Sequence, residues 1–432
     1  MILTRSQKII IGVALFFVFL GIGIYTGIIP GYRDPNARPP KVTLTIWGID
    51  DQSFFVNNLG VYRKVAPNVT MNYQKIDPQT YEKKLVDALA AGRGPDITMI
   101  NNTWLLKHGN KLTPLANNQI PLKKLRELFP SVIEQDFTDD NGNIYALPLY
   151  IDTLALYYNQ DIFDKSGVAV LPKDWLDFQN LVPKLTERDS SGNILKSAAA
   201  IGGSNNTIDK GSELLMLLML QAGAKMTNDA ITQATFNSKP ALSAMNFYAK
   251  FSDPKDSKYY TWNENQEYSL NSFAQEKTAM IFNYQRAGKL IKDLNPYLNF
   301  KAAEMPQPTT GSKAINYADY WGLAVTKNSK NPDWAWNAIL YLTTNESTAE
   351  NYIQASGYPP ALRSVIQKYI NHPELGIFAK QALTANSWPQ IDRNAIAQIF
   401  SQMIKGVVTN NLDYGIALNQ AQNEVTILMQ NK

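Results

Sequence analysis

Between residues 42 and 100 the chain alternates strand and helix signals, and no other feature narrows its fold as far. The run VTLTIW (42–47) alternates apolar and polar positions and is rich in β-formers, so it predicts a strand that Gly48 ends. A helix is expected over 53–65, with Ser53 as its N-cap, and VTMNY (69–73) is a second strand. Over 78–91 Tyr81, Leu85, Ala88 and Leu89 fall on one helical face, and Gly92 and Gly94 stop that helix. Residues 96–100 form a third, buried strand. This β-α-β-α-β order predicts a parallel sheet with helices on its faces. Ligands of such sheets bind beyond the C-terminal strand ends. Those ends are WGIDD (47–51) and NNTW (101–104), each pairing polar groups with a tryptophan. No glycine-rich phosphate fingerprint follows a strand, so no nucleotide cofactor is implied.

The remaining chain continues in the same manner. Segments 144–150 and 154–158 are strand-like and bracket Ile151, Asp152 and Thr153. Helices are expected over 161–165, 175–185, 212–221 and 241–251, and a strand over 278–282 ends at Asn283, Tyr284 and Gln285. Tyr320 and Trp321 introduce another strand over 322–326. Helices follow over 333–342 and 347–355, and the last forty residues are mostly helical. At 432 residues the chain is long enough for two domains of about 100–200 residues each.

Composition excludes several chemistries. Lys+Arg total 41 against 37 Asp+Glu, a net charge of +4 with no basic block, which argues against a nucleic-acid partner. With Cys at 0 there are no disulfides, thiol nucleophiles, cysteine-ligated zinc or iron–sulfur clusters. His108 and His372, the two histidines, lack ligand spacing, so no metal site is expected. No G-x-S-x-G or H-E-x-x-H signature is present, and nothing pairs Asp50, Asp152 and Asp319 as glycosidase carboxylates. The expectation is a binding protein, not an enzyme, with no catalytic residue and no cofactor.

Residues 9–29 (IIIGVALFFVFLGIGIYTGII) carry no charge. A membrane-spanning helix needs roughly 20 such residues, whereas a cleaved signal has an apolar region of about 7–15. Arg5 and Lys8 precede the run, which keeps the N-terminus cytoplasmic. Residues 1–30 therefore read as a cytoplasmic N-terminus and transmembrane signal anchor of a single-pass cell-membrane protein. A long signal peptide cut after Gly27 is the alternative. Residues 31–41 (GYRDPNARPPK) read as a proline-rich tether, with everything beyond it outside the cytoplasm.

Five segments then carry a resemblance: 42–47, GPDI at 94–97, LPLYIDTLALYYN at 147–159, 278–284 and 320–327. In this order they resemble the extracellular solute-binding proteins of ABC importers, specifically the carbohydrate-binding group (family 1) that includes the maltose-binding protein. The resemblance implies a two-lobed α/β fold, periplasmic-binding-protein-like (type II), with a sugar bound between lobes and a hinge that closes over it. It places lobe one at 41–152 plus 319–355, and lobe two at 153–318 plus 356–432. Crossings fall near Asp152, near 317–322 and near 354–359. The implied partners are a small carbohydrate and ABC permease subunits, and a monomer is expected. The same fold could instead take a polyamine or peptide, or serve as a receptor or sensor without transport.

Sugar hydroxyls need planar hydrogen-bonding groups, and the ring face needs an aromatic plane. Trp47 and Asp50 are first-strand candidates, with Asp51 as substitute. Asn102 and Trp104 follow the third strand; Trp104 either walls the cleft or packs inward. Asp152, a lone carboxylate in an apolar run, must find a partner, whether a ligand hydroxyl or a group of the protein; the resemblance favours the ligand. Tyr284 and Gln285 end a strand toward the expected cleft, and Arg286 points there or pairs on the surface. Trp321 either stacks on the sugar or packs in the core, and Trp388 is a sugar contact or a loop anchor. Asn205 and Asn206 offer amides to the cleft or lie in a solvated loop. Trp175, Trp262, Trp334 and Trp336 read as structural.

Overall fold

In β1 (Val42–Gly48) burial alternates, with Val42, Leu44 and Ile46 inward and Thr43 and Thr45 outward, as the period of two dictates. The computed structural model describes residues 4, 11, 13, 14, 16–20 and 39–430, except 117, 118, 257 and 310. The strands that follow are β2 (Val69–Lys75), β3 (Ile97–Asn101), β4 (Leu112–Thr113) and β5 (Leu147–Pro148). Next come β6 (Asp152–Thr153), β7 (Ala155–Asn159), β8 (Glu187–Arg188), β9 (Ile194–Ala199) and β10 (Thr278–Asn283). The series ends with β11 (Phe300–Ala303), β12 (Asn316–Asp319), β13 (Trp321–Thr326) and β14 (Ala385–Asn386).

These build two lobes. The first holds a sheet ordered β2-β1-β3-β13-β4, with β5 also on β13. β1 and β3 are parallel, but β13 is antiparallel to β3, so the sheet is mixed and not purely parallel as expected. The cause is a strand contributed from far along the chain, which enters the sheet from its opposite end. The second lobe holds a sheet ordered β11-β7-β10-β9-β8. Along β7, Leu156 and Tyr158 face a large core with Phe163, Trp175, Phe178, Phe282 and Phe400. Ala155 and Tyr157 face the other layer, with Trp262, Phe273, Ile281 and Phe378. Helix Gly211–Gln221 is buried from Gly211 to Met219, in keeping with its lack of a polar face.

Three segments run side by side between the sheets. β6 pairs antiparallel with β12, setting Asp152 opposite Asp319. The Leu154 N–H donates to Tyr317 O at 3.0 Å, and the Ile151 N–H to Pro359 O at 3.3 Å. Tyr150 bridges Pro360.

Several local expectations change. Ser53 is the first residue of helix Ser53–Val65 and not its cap; Asp51 instead accepts from the Ser53 N–H and hydroxyl, at 3.0 and 2.8 Å. Over 144–150 only Leu147–Pro148 is strand. Gly48 lies within β1, where a Cβ would sit 2.5 Å from Tyr73 Oη. Most of the anchor run 9–29, and the tether up to residue 38, lie outside the described residues. Among the described residues no helix is long and apolar enough to cross a membrane.

Candidate functional site

The register of β13 on β3 decides where two tryptophans meet. Trp321, first in β13, stands opposite Asn101, last in β3. Trp104 follows three residues later and so lies beside Trp321, with ring centroids 4.9 Å apart and planes at 68°. Buried Tyr81 backs both rings, at 6.1 Å from Trp104 and 5.7 Å from Trp321. Its hydroxyl is locked by the Met99 N–H, which donates to it at 3.0 Å, and by Thr98 Oγ1 at 2.7 Å. The two indoles, each half-buried, form part of the wall of a ≈ 740 Å³ cavity between the lobes.

Other aromatics line the same cavity. Phe54 and Tyr358 meet edge to face at 6.0 Å, and Tyr150 lies 4.6 Å from Tyr358. Tyr268 reaches in from the second lobe.

Polar groups in the lining and buried directly behind it complete the site, and their charges are satisfied within the protein. Asp50 is buried, and burial pushes its carboxyl up to about 6 against the Tyr352 hydroxyl, which donates to it at 2.5 Å. Asp51 pairs with Lys75 at 3.4 Å. Burial alone would raise Asp319, but the Arg393 and Arg286 guanidiniums, both bonded to it, hold it well below the usual carboxylate range. Asn101 Nδ2 adds a bond to Asp319 at 2.9 Å. Arg393 also pairs with Glu213 at 2.9 Å, and Glu213 accepts from the Tyr284 hydroxyl. Asp209 accepts from Asn283 Nδ2 at 2.9 Å and from the Tyr268 hydroxyl at 3.1 Å.

Of the candidate residues, Asp50, Trp104, Asn205 and Trp321 line this cavity together, as do Asp51 and Arg286. The Asn205 amide is spent on the start of helix Gly211–Gln221, bonding the Ser212 N–H at 2.8 Å and Ser212 Oγ at 2.9 Å.

The others lie elsewhere. Trp47 lines a separate groove with Lys84, Asp87 and Arg93, because it is still within the strand and faces helix Pro78–Ala90. Asn102 is buried, donating to Asp136 at 3.0 Å. Asp152 is buried at the crossing, where burial pushes it up to about 7 although the Gln285 and Thr153 N–H groups each donate to it at 2.9 Å. Through its backbone N–H Gln285 supports the crossing, and it is not among the residues that line the cavity. Tyr284 is fully buried beneath Arg286, whose guanidinium lies 5.1 Å from the ring centre. Trp388 packs in the second lobe's core, 6.5 Å from Phe400.

Glu82, Lys107, Glu213, Tyr268, Tyr358 and Arg393 also line the cavity, though they are not among the residues expected from the sequence. One signal was available for Glu213: a carboxylate inside the apolar helix GSELLMLLMLQ must be paired.

A family model for bacterial extracellular solute-binding proteins matches residues 62–377. A Brucella abortus (strain 2308) protein named only as a binding protein is 24% identical over 387 residues, covering 86% of this chain and 89% of the relative. The maltodextrin-binding protein of Bacillus subtilis (strain 168) is 25% identical over 359 residues, covering 79% and 78%. Among solved structures, the cyclic alpha-maltosyl-1,6-maltose binding protein of Arthrobacter globiformis superposes with a TM-score of 0.76 at 18% identity, covering 91% of this chain and 100% of that one.

Proposed function

The chain belongs to the bacterial extracellular solute-binding protein family, and from that premise we propose that it captures a neutral sugar or oligosaccharide between its lobes for uptake by an ABC importer. The observation that carries this reading is the pair Trp104 and Trp321, two planes held at 4.9 Å on the wall of a ≈ 740 Å³ cavity. Trp and Tyr give large contact area to a sugar ring for little lost rotamer entropy. The relative that binds maltodextrin supports the same class of ligand. The proposed role is binding without catalysis, with which the family description is consistent.

A polyamine would need free carboxylates. The cleft's carboxylates are engaged by Lys75, Lys107, Arg286, Arg393 and neighbouring hydroxyls and amides, which favours an uncharged solute. Asp50, Trp104 and Trp321 are the proposed ligand-facing residues among the candidates, while Asn205 lines the cavity with its amide already bonded to Ser212. Trp47, Asn102, Asp152, Tyr284, Gln285 and Trp388 would act only through the scaffold.

The reading divides the chain into lobe one at 41–152 plus 319–355 and lobe two at 153–318 plus 356–432, working as a monomer beside permease subunits. It retains residues 9–29 as a membrane anchor on their uncharged length. Carbonate washing of membranes tests the anchor: retention in the pellet supports it, and a soluble protein beginning near residue 30 refutes it. Tryptophan fluorescence across a panel of neutral saccharides, polyamines and peptides tests the ligand. Saturable change with a saccharide is expected; a response to polyamines or peptides alone would overturn the reading.

A further inference from the structure

Lys107 ties one wall of the cleft to the other. It sits in the short helix Leu105–His108, with Nζ 2.8 Å from Glu82 Oε1 and 2.7 Å from Asp392 Oδ2. Glu82 belongs to helix Pro78–Ala90 of the first lobe. Asp392 opens helix Arg393–Asn410, whose Ile396, Phe400, Met403 and Ile404 are part of the second lobe's core. All three side chains line the cavity.

Each partner is fixed from behind. His108 Nε2 lies 2.9 Å from Glu82 Oε1, and this bond, with Lys107, holds Glu82 down at about 2. Asp392 divides its two oxygens: Oδ1 caps the helix through the Ala395 N–H at 3.0 Å, which leaves Oδ2 for Lys107. The Trp104 carbonyl accepts from the N–H groups of Lys107 and His108, at 3.1 and 2.8 Å. The indole on the cleft wall and the cross-cleft cation therefore share one turn of backbone.

We propose that Lys107 is a positioning residue: through Asp392 it sets the spacing of the lobes and biases the ligand-free protein toward the closed form. The inference rests on the closing-cleft reading above. A cleft already biased toward closure loses less affinity to its open population. The ion pair is only part-exposed, with side-chain exposures of 33% and 35%, so its effect should be modest.

The chain has no cysteine, so Lys64→Cys and Gln420→Cys, one exposed position on each lobe, can carry spin labels without background. Distances between them in the ligand-free protein should lengthen in Lys107→Met and in Asp392→Asn. The second variant keeps the cap oxygen while removing the charge. The double variant should go no further than either single one, and Lys107→Arg should restore the short distance. Apparent affinity for the saccharide found by fluorescence should fall about 2- to 5-fold in each single variant and no further in the double. An unchanged ligand-free distance in Lys107→Met would overturn the proposal. So would an affinity loss in Lys107→Met that Asp392→Asn does not share, since Lys107 would then act on the ligand directly. If no saccharide binds at all, the ligand-free distances still decide the role of Lys107, separately from the identity of the ligand.

Discussion

Trp104 and Trp321 are 217 residues apart in the chain, yet their rings meet because one follows the end of β3 and the other begins β13. If both face a sugar ring, Trp104→Ala and Trp321→Ala should each weaken binding by about 1–3 kcal/mol in calorimetric titration. Trp388→Ala should instead cost about 3–5 kcal/mol of folding stability in chemical denaturation, as truncation of a buried aromatic does. Equal loss of affinity with full stability would move Trp388 into the site. Titration follows from burial as well. Asp50 and Asp136 are pushed up to about 6, and Asp152 to about 7. Between the ordinary value of 3.8 and these values the folded state binds more protons than the unfolded one, so their contribution to stability falls as pH rises through that window. Glu82, held at about 2, contributes in the opposite sense, but only below its ordinary 4.5. The unfolding midpoint should therefore drop from pH 5 to pH 7.5, and Asp152→Asn should flatten the slope. A midpoint that rises over this range would contradict the assignment. Trp104 was legible as a cavity residue because α/β sheets present ligands beyond their C-terminal strand ends, yet Trp47, expected by the same rule, lies in a separate groove. The burial of Asn102, Tyr284 and Trp388 was not, since it depends on Asp136, Glu213 and Phe400, partners 34, 71 and 12 residues away.

At the scale of elements, periodicity placed some helices well, since Trp175–Leu185 has the expected bounds and Pro78–Ala90 differs by one residue, but Leu122–Leu128, Ser131–Phe137 and Ala287–Leu294 were not expected. Strand direction was harder. Parallel pairing of β1 and β3 follows from the β-α-β-α-β order of residues 42–101, but nothing local says that residues 321–326 return to that sheet antiparallel. Gly48 shows how tightly the first strand end is packed. A Cβ there would come within 2.5 Å of Tyr73 Oη and 2.6 Å of Met99 Sδ, and the Tyr73 hydroxyl holds the Asp50 carbonyl at 2.8 Å. Gly48→Ala should destabilise the protein by about 1–3 kcal/mol in urea denaturation, the usual cost of overpacking. It should also disturb the loop that carries Asp50. An unchanged midpoint would show that Tyr73 moves aside without cost.

For the whole molecule, residues 43–432 form one compact unit in which the lobes are joined by neighbouring segments at Asp152, Asp319 and Pro359. On the closing-cleft proposal, the lobes rotate about those segments and a ligand that touches both walls favours the closed form. Saturating saccharide should shrink the radius of gyration in small-angle scattering unless Lys107 and Asp392 already hold the cleft closed; in that case Lys107→Met should reveal the change. The most direct test of the central claim is electron density in the cleft of crystals grown with the saccharide that alters fluorescence. The account predicts a sugar ring lying against Trp104 or Trp321, with hydroxyls directed toward the polar groups around Arg393 and Glu213. Density for the sugar outside this cleft, or for a cationic or peptidic solute within it, would contradict the account.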